Sequence, residues 1–260
     1  MRSLVIALLA LAPSVSPIRA DDKSAVKELL DKAMKAHGSA ANAAKLGEIS
    51  FKGKAKVSEG GMEAEFSVDA SMSQLDRTRM LLTINAGGQN NMATLVVNGA
   101  KIWARDSRRD KTEEAPAEVA PMIQSILLAM RAAATPASLA GRKDLQLTHG
   151  GKAKVGDADA DLLRISRKDL PDITLYYDIQ IGLPLKSEAQ LKEANQATDM
   201  QYAFHFSDFK EVDGVKHFGL VKITRDGKDL VEIELSEFSK SARNSRRTPS
   251  TSHKQFVVPV

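Results

Sequence analysis

Apolar and polar residues alternate along most of the chain, as they do in β-strands that bury one face. In the segment 49–57, Ile49, Phe51, Ala55 and Val57 alternate with serine and lysine residues. Similar segments follow to residue 105 and resume between residues 143 and 192. The alternation is clearest between Met200 and Phe238. The pattern therefore predicts a protein that consists mainly of β-strands.

Two segments depart from this alternation and have helical spacing instead. Residues 22–37 carry an apolar stripe that ends before Gly38, a residue that commonly terminates helices. Residues 116–133 carry a second stripe, with Pro116 near its start and Pro136 just past its end. Each stripe predicts an amphipathic helix that covers apolar surface.

Charge pairs and turn residues predict how the strands pair. If residues 58–61 form the first loop, Val57 lies opposite Met62, Phe51 opposite Val68, and Lys56 opposite Glu63. Apolar pairs on one face and opposite charges on the other favour a single register.

The last three strands have clearer turns. Asp213-Gly214 predicts a two-residue turn, with Phe204 opposite Ile223. A three-residue loop at 226–228 sets Ile223 opposite Val231. Phe209 and Phe238 are out of phase with their strands, which predicts β-bulges and hence curvature.

These elements predict one domain over residues 21–238, with about ten or eleven antiparallel strands and two helices. No linker rich in proline or glycine divides it. We expect a long, strongly curved sheet with an apolar concave side. Because such a sheet aggregates when its inner face is bare, we expect the two helices to cover that face.

Composition changes the interpretation mainly at the two ends of the chain. The net charge of +4 comes from Arg2 and Arg19 and from five basic residues in 239–260, and residues 21–238 are slightly acidic. Arg2, the apolar run 4–12 and Ala20 predict a signal peptide over residues 1–20, and residues 239–260 predict a disordered basic tail. The sequence has no cysteine, which excludes disulfides and thiol chemistry.

The sequence lacks the motifs of the common catalytic and nucleotide-binding sites. The register places His205 opposite Lys222 and His217 opposite Lys210, so these histidines do not form a metal pair. Asp157, Asp159 and Asp161 lack the rest of a calcium loop. We therefore predict no enzyme activity, no metal and no cofactor. With few aromatic residues and no basic folded face, we also predict no nucleic-acid partner.

The apolar concave face is then the main candidate for a functional site. If the helices cover it only in part, the cavity suits an acyl chain or another long apolar ligand. Composition alone favours an ordinary core, in which these residues pack against one another. The predicted lining consists of Phe51, Phe66, Val68, Met80, Leu82, Met92, Tyr202, Phe204, Phe206, Val221 and Ile233.

Residues 177–178, 182–188 (GLPLKSE) and 208–216 (DFKEVDGVK) resemble the bacterial lipoprotein-carrier superfamily of LolA/LolB-like proteins. So does a leading helix that ends in His37-Gly38 before the segment Phe51-Lys52-Gly53. The resemblance covers most of residues 22–238, through turn and strand patterns. It departs from the family at His217-Phe218-Gly219, where relatives often have a proline after the aromatic residue.

The resemblance implies an incomplete antiparallel β-barrel, with helices capping a cavity that receives the acyl chains of lipoproteins. Segment 116–133 would be the lid, and Arg77 or Arg79 would hold it closed. Because the chain lacks the acylated cysteine of the acceptor type, a soluble carrier fits better. The predicted lid residues are Val119, Met122, Ile123, Ile126, Leu127 and Met130.

Together, the pattern and the resemblance predict a non-enzymatic, exported carrier for an acyl chain, a lipid or a lipidated protein. We expect a monomer in the periplasm or cell envelope, soluble after cleavage near Ala20. The alternative is a structural or interaction module with a filled core, associated with an anionic membrane surface through its basic tail.

Overall fold

The computed structural model describes residues 20–38, 48–59, 62–73, 75–86, 89–108, 111–194 and 196–241. The predicted signal peptide apart from Ala20, and the tail beyond Ser241, lie outside these residues. The helices are α1 (Ala20–Ala36) and α2 (Ala120–Ala134), followed by a 3-10 turn (Pro136–Leu139). The strands are β1 (Glu48–Glu59), β2 (Met62–Ser73), β3 (Arg77–Ala86), β4 (Gln89–Asn98), β5 (Lys101–Asp106), β6 (Lys111–Glu114), β7 (Leu145–Val155), β8 (Ala158–Arg167), β9 (Ile173–Asp178), β10 (Pro184–Leu191), β11 (Met200–Val212), β12 (Val215–Arg225) and β13 (Lys228–Ser241).

All thirteen strands form one antiparallel sheet, in the order β6-β5-β4-β3-β2-β1-β13-β12-β11-β10-β9-β8-β7. The first and last strands pair at its centre, and β6 and β7 are its two edges. The sheet therefore curves without closing, as predicted. It has more strands than the ten or eleven expected. One reason is β6, whose sequence KTEE has no apolar position to reveal it.

The apolar positions of the strands share one face, which we call the inner face. On β1, Ile49, Phe51 and Ala55 are buried, while Lys52, Lys54 and Lys56 are exposed on the outer face. The outer lysines lie near acids of neighbouring strands, with Lys52 Nζ 2.8 Å from Glu237 Oε2. The predicted division into an apolar and a charged face is confirmed for this strand.

The register of the first hairpin differs from the prediction by two residues. Pairing extends to Glu59 opposite Met62, so Val57 lies opposite Ala64 and Lys56 opposite Glu65. Only residues 60 and 61 separate the paired strands, rather than the predicted four. A shift of two leaves every side chain on its predicted face, because the side-chain period of a strand is two.

The β11–β12 hairpin has the predicted turn, and the β12–β13 hairpin differs. Asp213 and Gly214 have φ of 50° and 71°, as a type I′ turn requires, and Val212 lies opposite Val215. Ile223 does lie opposite Val231, but the second turn has only two residues, with Arg225 opposite Lys228. The predicted register holds within the strands because the pairing shifts between Ile223 and Thr224.

Irregularities occur near both aromatic residues that were predicted to be out of phase. In β11, Asp208 has a φ of 53° between Phe206 and Phe209. In β13, the pairing with β1 shifts between Leu235 and Glu237, just before Phe238. Such irregularities bend strands.

Helix α1 lies against β7, β8 and the 3-10 turn and is fixed at its end by backbone contacts. The carbonyl of His37 accepts a hydrogen bond from the Lys216 amide at 3.0 Å. Gly38 follows with a φ of 115°, and a Cβ there would lie 1.9 Å from the Gly214 carbonyl oxygen. The chain can pass this turn only if residue 38 has no side chain.

We expect Gly38→Ala to lower the free energy of unfolding by about 3 kcal/mol or more, since it combines backbone strain with a clash. Gly99→Ala is the matched control, because Gly99 has a φ of 62° with open space around it. That variant should lose about 1–2 kcal/mol, the cost of the left-handed conformation alone. Urea unfolding measures both, and equal losses would contradict the close approach.

Candidate functional site

Helix α2 covers only one end of the inner face. The Gln124 Nε2 donates a hydrogen bond at 2.8 Å to the carbonyl of Gly99, in the β4–β5 turn. The helix also contacts β9 and β10. We call the end near the β2–β3 and β4–β5 turns the closed end. The opposite end, near the β1–β2 and β3–β4 hairpin turns, is the open end.

Exposure of the inner face increases from the closed end to the open end. On β3, Thr78 is buried, Met80 and Leu82 are half-buried, and Ile84 is 41% exposed. The neighbouring strands show the same gradient, from buried Ile49, Met72, Val97 and Ile102 to less buried Val57, Ala64, Ala93 and Ala104. The open end of the inner face, which we call the trough, is therefore an apolar surface that the helices leave partly bare.

Ten of the eleven predicted lining residues lie on the inner face. Six are buried in the core, and four are half-buried toward the trough. The buried set is Phe51, Val68, Tyr202, Phe204, Phe206 and Val221, and the half-buried set is Phe66, Met80, Leu82 and Ile233.

Met92 and the two predicted lid-holding arginines lie on the outer face. Met92 is opposite Thr83, between the inner pairs Leu82–Ala93 and Ile84–Asn91, and is 45% exposed. Arg77 and Arg79 are exposed and alternate with the inner residues Thr78 and Met80. Because neighbouring side chains of a strand point to opposite faces, none of the three faces helix α2.

The predicted lid stripe is present on helix α2 and divides along its length. Leu127 and Met130 are buried, whereas Val119, Met122, Ile123 and Ile126 are only half-buried. Val119 immediately precedes the helix, and the other three half-buried residues lie in its first half. The start of the helix therefore carries a half-buried apolar surface.

The arginine found on this helix is Arg131, which the sequence analysis missed. Its side chain is buried, with the Nε and Nη1 donors unbonded. Burial lowers its pKa to about 10, and the Glu48 carboxylate opposes that shift. An arginine four residues after Leu127 and next to Met130 could have signalled a charge inside the apolar stripe, but a snorkelling surface arginine has the same spacing.

Charged side chains form a rim where the trough meets β11 and β12. Arg225 bonds Glu59 at 2.6 Å and Glu193 at 3.1 Å, and the Tyr202 hydroxyl donates to Glu193 at 2.6 Å. Burial and the bond to Glu193 raise the pKa of Tyr202 to about 12. These bonds tie the first hairpin to the β10–β11 loop and fix one wall of the trough.

A pocket of about 640 Å³ lies between β5, the start of α2 and the β8–β9 turn. We call it the seam pocket, because it lies where the two halves of the sheet approach each other. Its walls are mostly apolar, and Ile102 also belongs to the inner face. The sequence analysis did not predict it. The lining residues are Ala100, Ile102, Glu114, Ala115, Ala117, Ala120, Pro121, Gln124, Arg167, Lys168, Asp169 and Leu170.

Four charged residues join the two halves of the sheet beside this pocket. Asp76, in the β2–β3 turn, lies 4.0 Å from Arg142 and 3.9 Å from Arg167. Asp144 contacts the same two arginines at 2.6 and 3.3 Å. The Arg142 side chain lowers the pKa of Asp144 below its usual range. This cluster holds the closed end against the outermost strands.

The described histidines occupy structural positions. His205 lies opposite Lys222 and His217 opposite Lys210, as predicted, and the His217 ring stacks on Phe238 at 4.1 Å. Among the described residues, no group of three histidines or acids could hold a metal ion. No helix in the same part of the chain is long and apolar enough to cross a membrane.

Comparison with solved structures identifies the fold. A LolA superfamily protein from Nitrosomonas europaea aligns with a TM-score of 0.57 and 10% identity, over 83% of this chain and 93% of its own. A domain of an outer membrane lipoprotein-sorting protein from Vibrio parahaemolyticus aligns with a TM-score of 0.56 and 11% identity, over 85% and 95%. A DUF1329 family protein from Desulfovibrio piger aligns with a TM-score of 0.55 and 12% identity, over the same shares.

The chain therefore has a LolA-like fold, an incomplete curved barrel with helices on its inner side, as the resemblance predicted. At these identities the likeness concerns the fold alone. The sequence matches no protein-family model and no curated protein.

We expect Arg131→Met to leave the free energy of unfolding unchanged or raise it by about 1–3 kcal/mol, because a buried charge with unbonded donors is replaced by an apolar side chain. Glu48→Gln should destabilise the wild type but have little effect in the Arg131→Met background. Chemical denaturation measures the four proteins. A loss above about 2 kcal/mol in Arg131→Met would show that its guanidinium makes bonds that the fold needs.

Buried His37 predicts a stability that falls in mild acid. Burial lowers its pKa, an effect that nearby Lys216 reinforces, although the backbone oxygens of Ala33 and Ala133 oppose it. The unfolded chain binds a proton at this residue near pH 6.5, whereas the folded chain resists it until lower pH. Protons therefore favour unfolding below about pH 6.5.

The free energy of unfolding, measured from pH 7.5 to 5, should decline toward pH 5, and His37→Gln should show a smaller decline. Burial also lowers the pKa of His205 and His217, so some pH dependence remains in the variant. An unchanged slope in His37→Gln would contradict the assignment.

Proposed function

We propose that this protein is a non-enzymatic carrier that binds an acyl chain, free or as part of a lipid or lipidated protein, in the trough at the open end of the inner face. The observation that carries this proposal is the exposure gradient of the inner face. Apolar side chains of β1–β5 continue past the edge of the helix, and Ile84 is 41% exposed. A core that served only for stability would place such residues under cover.

The apolar residues of helix α2 fit the same ligand class. Met122, Ile123 and Ile126 are half-buried and face the core together with Phe66 and Leu82. An acyl chain between the helix and the sheet would remove both apolar surfaces from water, which favours binding by about 0.8 kcal/mol per buried methylene. Methionine side chains adapt their shape to different acyl chains. Met80 provides such a side chain on the sheet, and Met122 provides one on the helix.

The seam pocket is a second site that could hold an apolar group of such a ligand. A volume of about 640 Å³ is within the range of roughly 300–1,000 Å³ that is typical of small-molecule sites. Ile102 lines the pocket and also lies on the inner face beside Val97. A ligand group could therefore be held in the seam pocket at the closed end, apart from the trough.

An exported, periplasmic or cell-envelope location fits this role. The apolar run 4–12 after Arg2 has the pattern of an export signal. The Vibrio parahaemolyticus structure of similar fold is named as a putative outer membrane lipoprotein-sorting protein domain. On this proposal the partner would be a lipid or a lipidated protein, and the chain would act as a monomer.

A fluorescent fatty acid tests the proposal. We expect saturable binding to the wild type and about tenfold weaker binding to Leu82→Gln, because a polar amide replaces an apolar wall of the trough. Leu81→Gln is the matched control, since Leu81 is an adjacent, equally half-buried leucine on the outer face. Its affinity for the probe should stay within twofold of wild type.

Native mass spectrometry of the purified protein adds a second readout, a bound acyl species that dissociates on activation. If the wild type neither binds the probe nor retains an acyl species, the interior is filled and the alternative of a structural or interaction module is supported. Equal losses in Leu81→Gln and Leu82→Gln would place the binding outside the trough.

A further inference from the structure

The outer face of β3–β5 carries apolar residues that no second layer of described residues covers. Leu81, Val96 and Trp103 lie on neighbouring strands and are half-buried, and Met92 is 45% exposed. Trp103 is opposite Val96. Helices α1 and α2 mainly contact β7–β10, which lie in the other half of the strand order. We call Leu81, Met92, Val96 and Trp103, with Arg79 and Lys101, the tryptophan face.

The two charged residues that define the tryptophan face, Arg79 and Lys101, are both positive. Arg79 is opposite Ser71 and Val96, and Lys101 is opposite Asn98. Neither makes an ion pair with a residue that the structure describes. Arg77 and Arg105 lie on the same face, and the acids on it, Asp69 and Glu114, are at its two margins on β2 and β6.

Other parts of the outer face show how the protein neutralises charge or covers apolar groups elsewhere. On β1, Lys52 pairs with Glu237 and Lys56 lies 3.9 Å from Glu65. On β9, Tyr176 is buried, its hydroxyl bonds Glu188, and Lys186 lies over its ring at 4.2 Å. Within the described part of the chain the tryptophan face has no comparable cover, so it fits an external partner that is both apolar and negatively charged.

The composition and position of this face favour a membrane over an acidic protein. It is formed by the outward side chains of the paired strands β3, β4 and β5. It also adjoins the β3–β4 hairpin, where no residue from Met80 to Ala100 is charged and Ile84 is exposed on the trough side. Tryptophan beside arginine and lysine is a combination that is typical of the interface of an anionic bilayer.

From these observations we infer that the tryptophan face docks the protein on an anionic phospholipid surface, with Trp103 at the level of the headgroups. This goes beyond acyl binding in the trough and does not depend on it. It also differs from attachment through the basic tail, because the contact is made by the folded sheet.

Trp103 is the only tryptophan of the chain, so the tryptophan fluorescence reports whether Trp103 itself contacts lipid. With full-length protein and vesicles of phosphatidylcholine and phosphatidylglycerol, we expect a blue shift of its emission and quenching by lipids brominated on their acyl chains. Arg79→Gln combined with Lys101→Gln should weaken vesicle binding about thirty-fold, because each lost charge removes about 1 kcal/mol of binding free energy. Binding should weaken with salt and be lost on vesicles of phosphatidylcholine alone.

Lys54→Gln combined with Lys56→Gln is the matched control, because it removes the same charge from the outer face of β1. All variants keep both termini, so the apolar run 4–12 and the basic tail contribute equally to each. Circular dichroism and urea unfolding check that both double variants are folded.

Three results would overturn the inference. Equal weakening in both double variants would indicate attraction by net charge alone. Vesicle binding without quenching of Trp103 would place the contact elsewhere, for instance in the tail. Absence of vesicle binding, with saturable binding of an acidic peptide instead, would assign the face to a protein partner. None of these results bears on acyl binding in the trough, which the fatty-acid probe measures without vesicles.

Discussion

The structure depends on one constraint, which is that a thirteen-stranded sheet curves without closing and must cover its apolar inner face by other means. The two edges, β6 and β7, are consecutive in the sequence, and helix α2 lies in the connection between them. A connection from edge to edge passes over the inner side of the sheet. The topology thereby brings the helix to the face that needs cover, but fifteen residues are too few to cover all of it.

Polar contacts decide which end of the inner face is covered. Gln124 holds helix α2 to the β4–β5 turn, and Asp76 joins the β2–β3 turn to Arg142 and Arg167. All of these contacts lie at the closed end. At the open end the described polar contacts join strands and loops to one another, as Arg225 does, and leave the helix free of them. The unequal distribution accounts for the exposure gradient and makes the open end the part that can admit a ligand.

Strand alternation was enough to predict most of the fold and the side of the sheet that carries the site. It assigned Phe66, Met80 and Leu82 to the inner face correctly, because a register error of two residues leaves faces unchanged. It could not assign Met92 to a face. Because Met92 and Ala93 are both apolar, the period of two does not show which of them faces inward. Arg77 and Arg79 came from the family resemblance, and their exposed positions follow from Thr78 and Met80 facing inward. Arg131 and the seam pocket arise from long-range packing, which has no local signal in the sequence.

The β3–β4 hairpin links the two proposed surfaces through a single physical cause. A strand in a one-layer sheet normally turns a polar face to water, but Met80 to Ala100 contains no charged residue and places apolar side chains on both sides. Leu82 and Ile84 therefore face the trough, while Leu81 and Met92 face outward from the same two strands. Such a hairpin is stabilised most when the apolar side chains on both of its faces are removed from water. Contact of the tryptophan face with lipid would remove the outer side of this hairpin from water, and an acyl chain in the trough would do the same for its inner side.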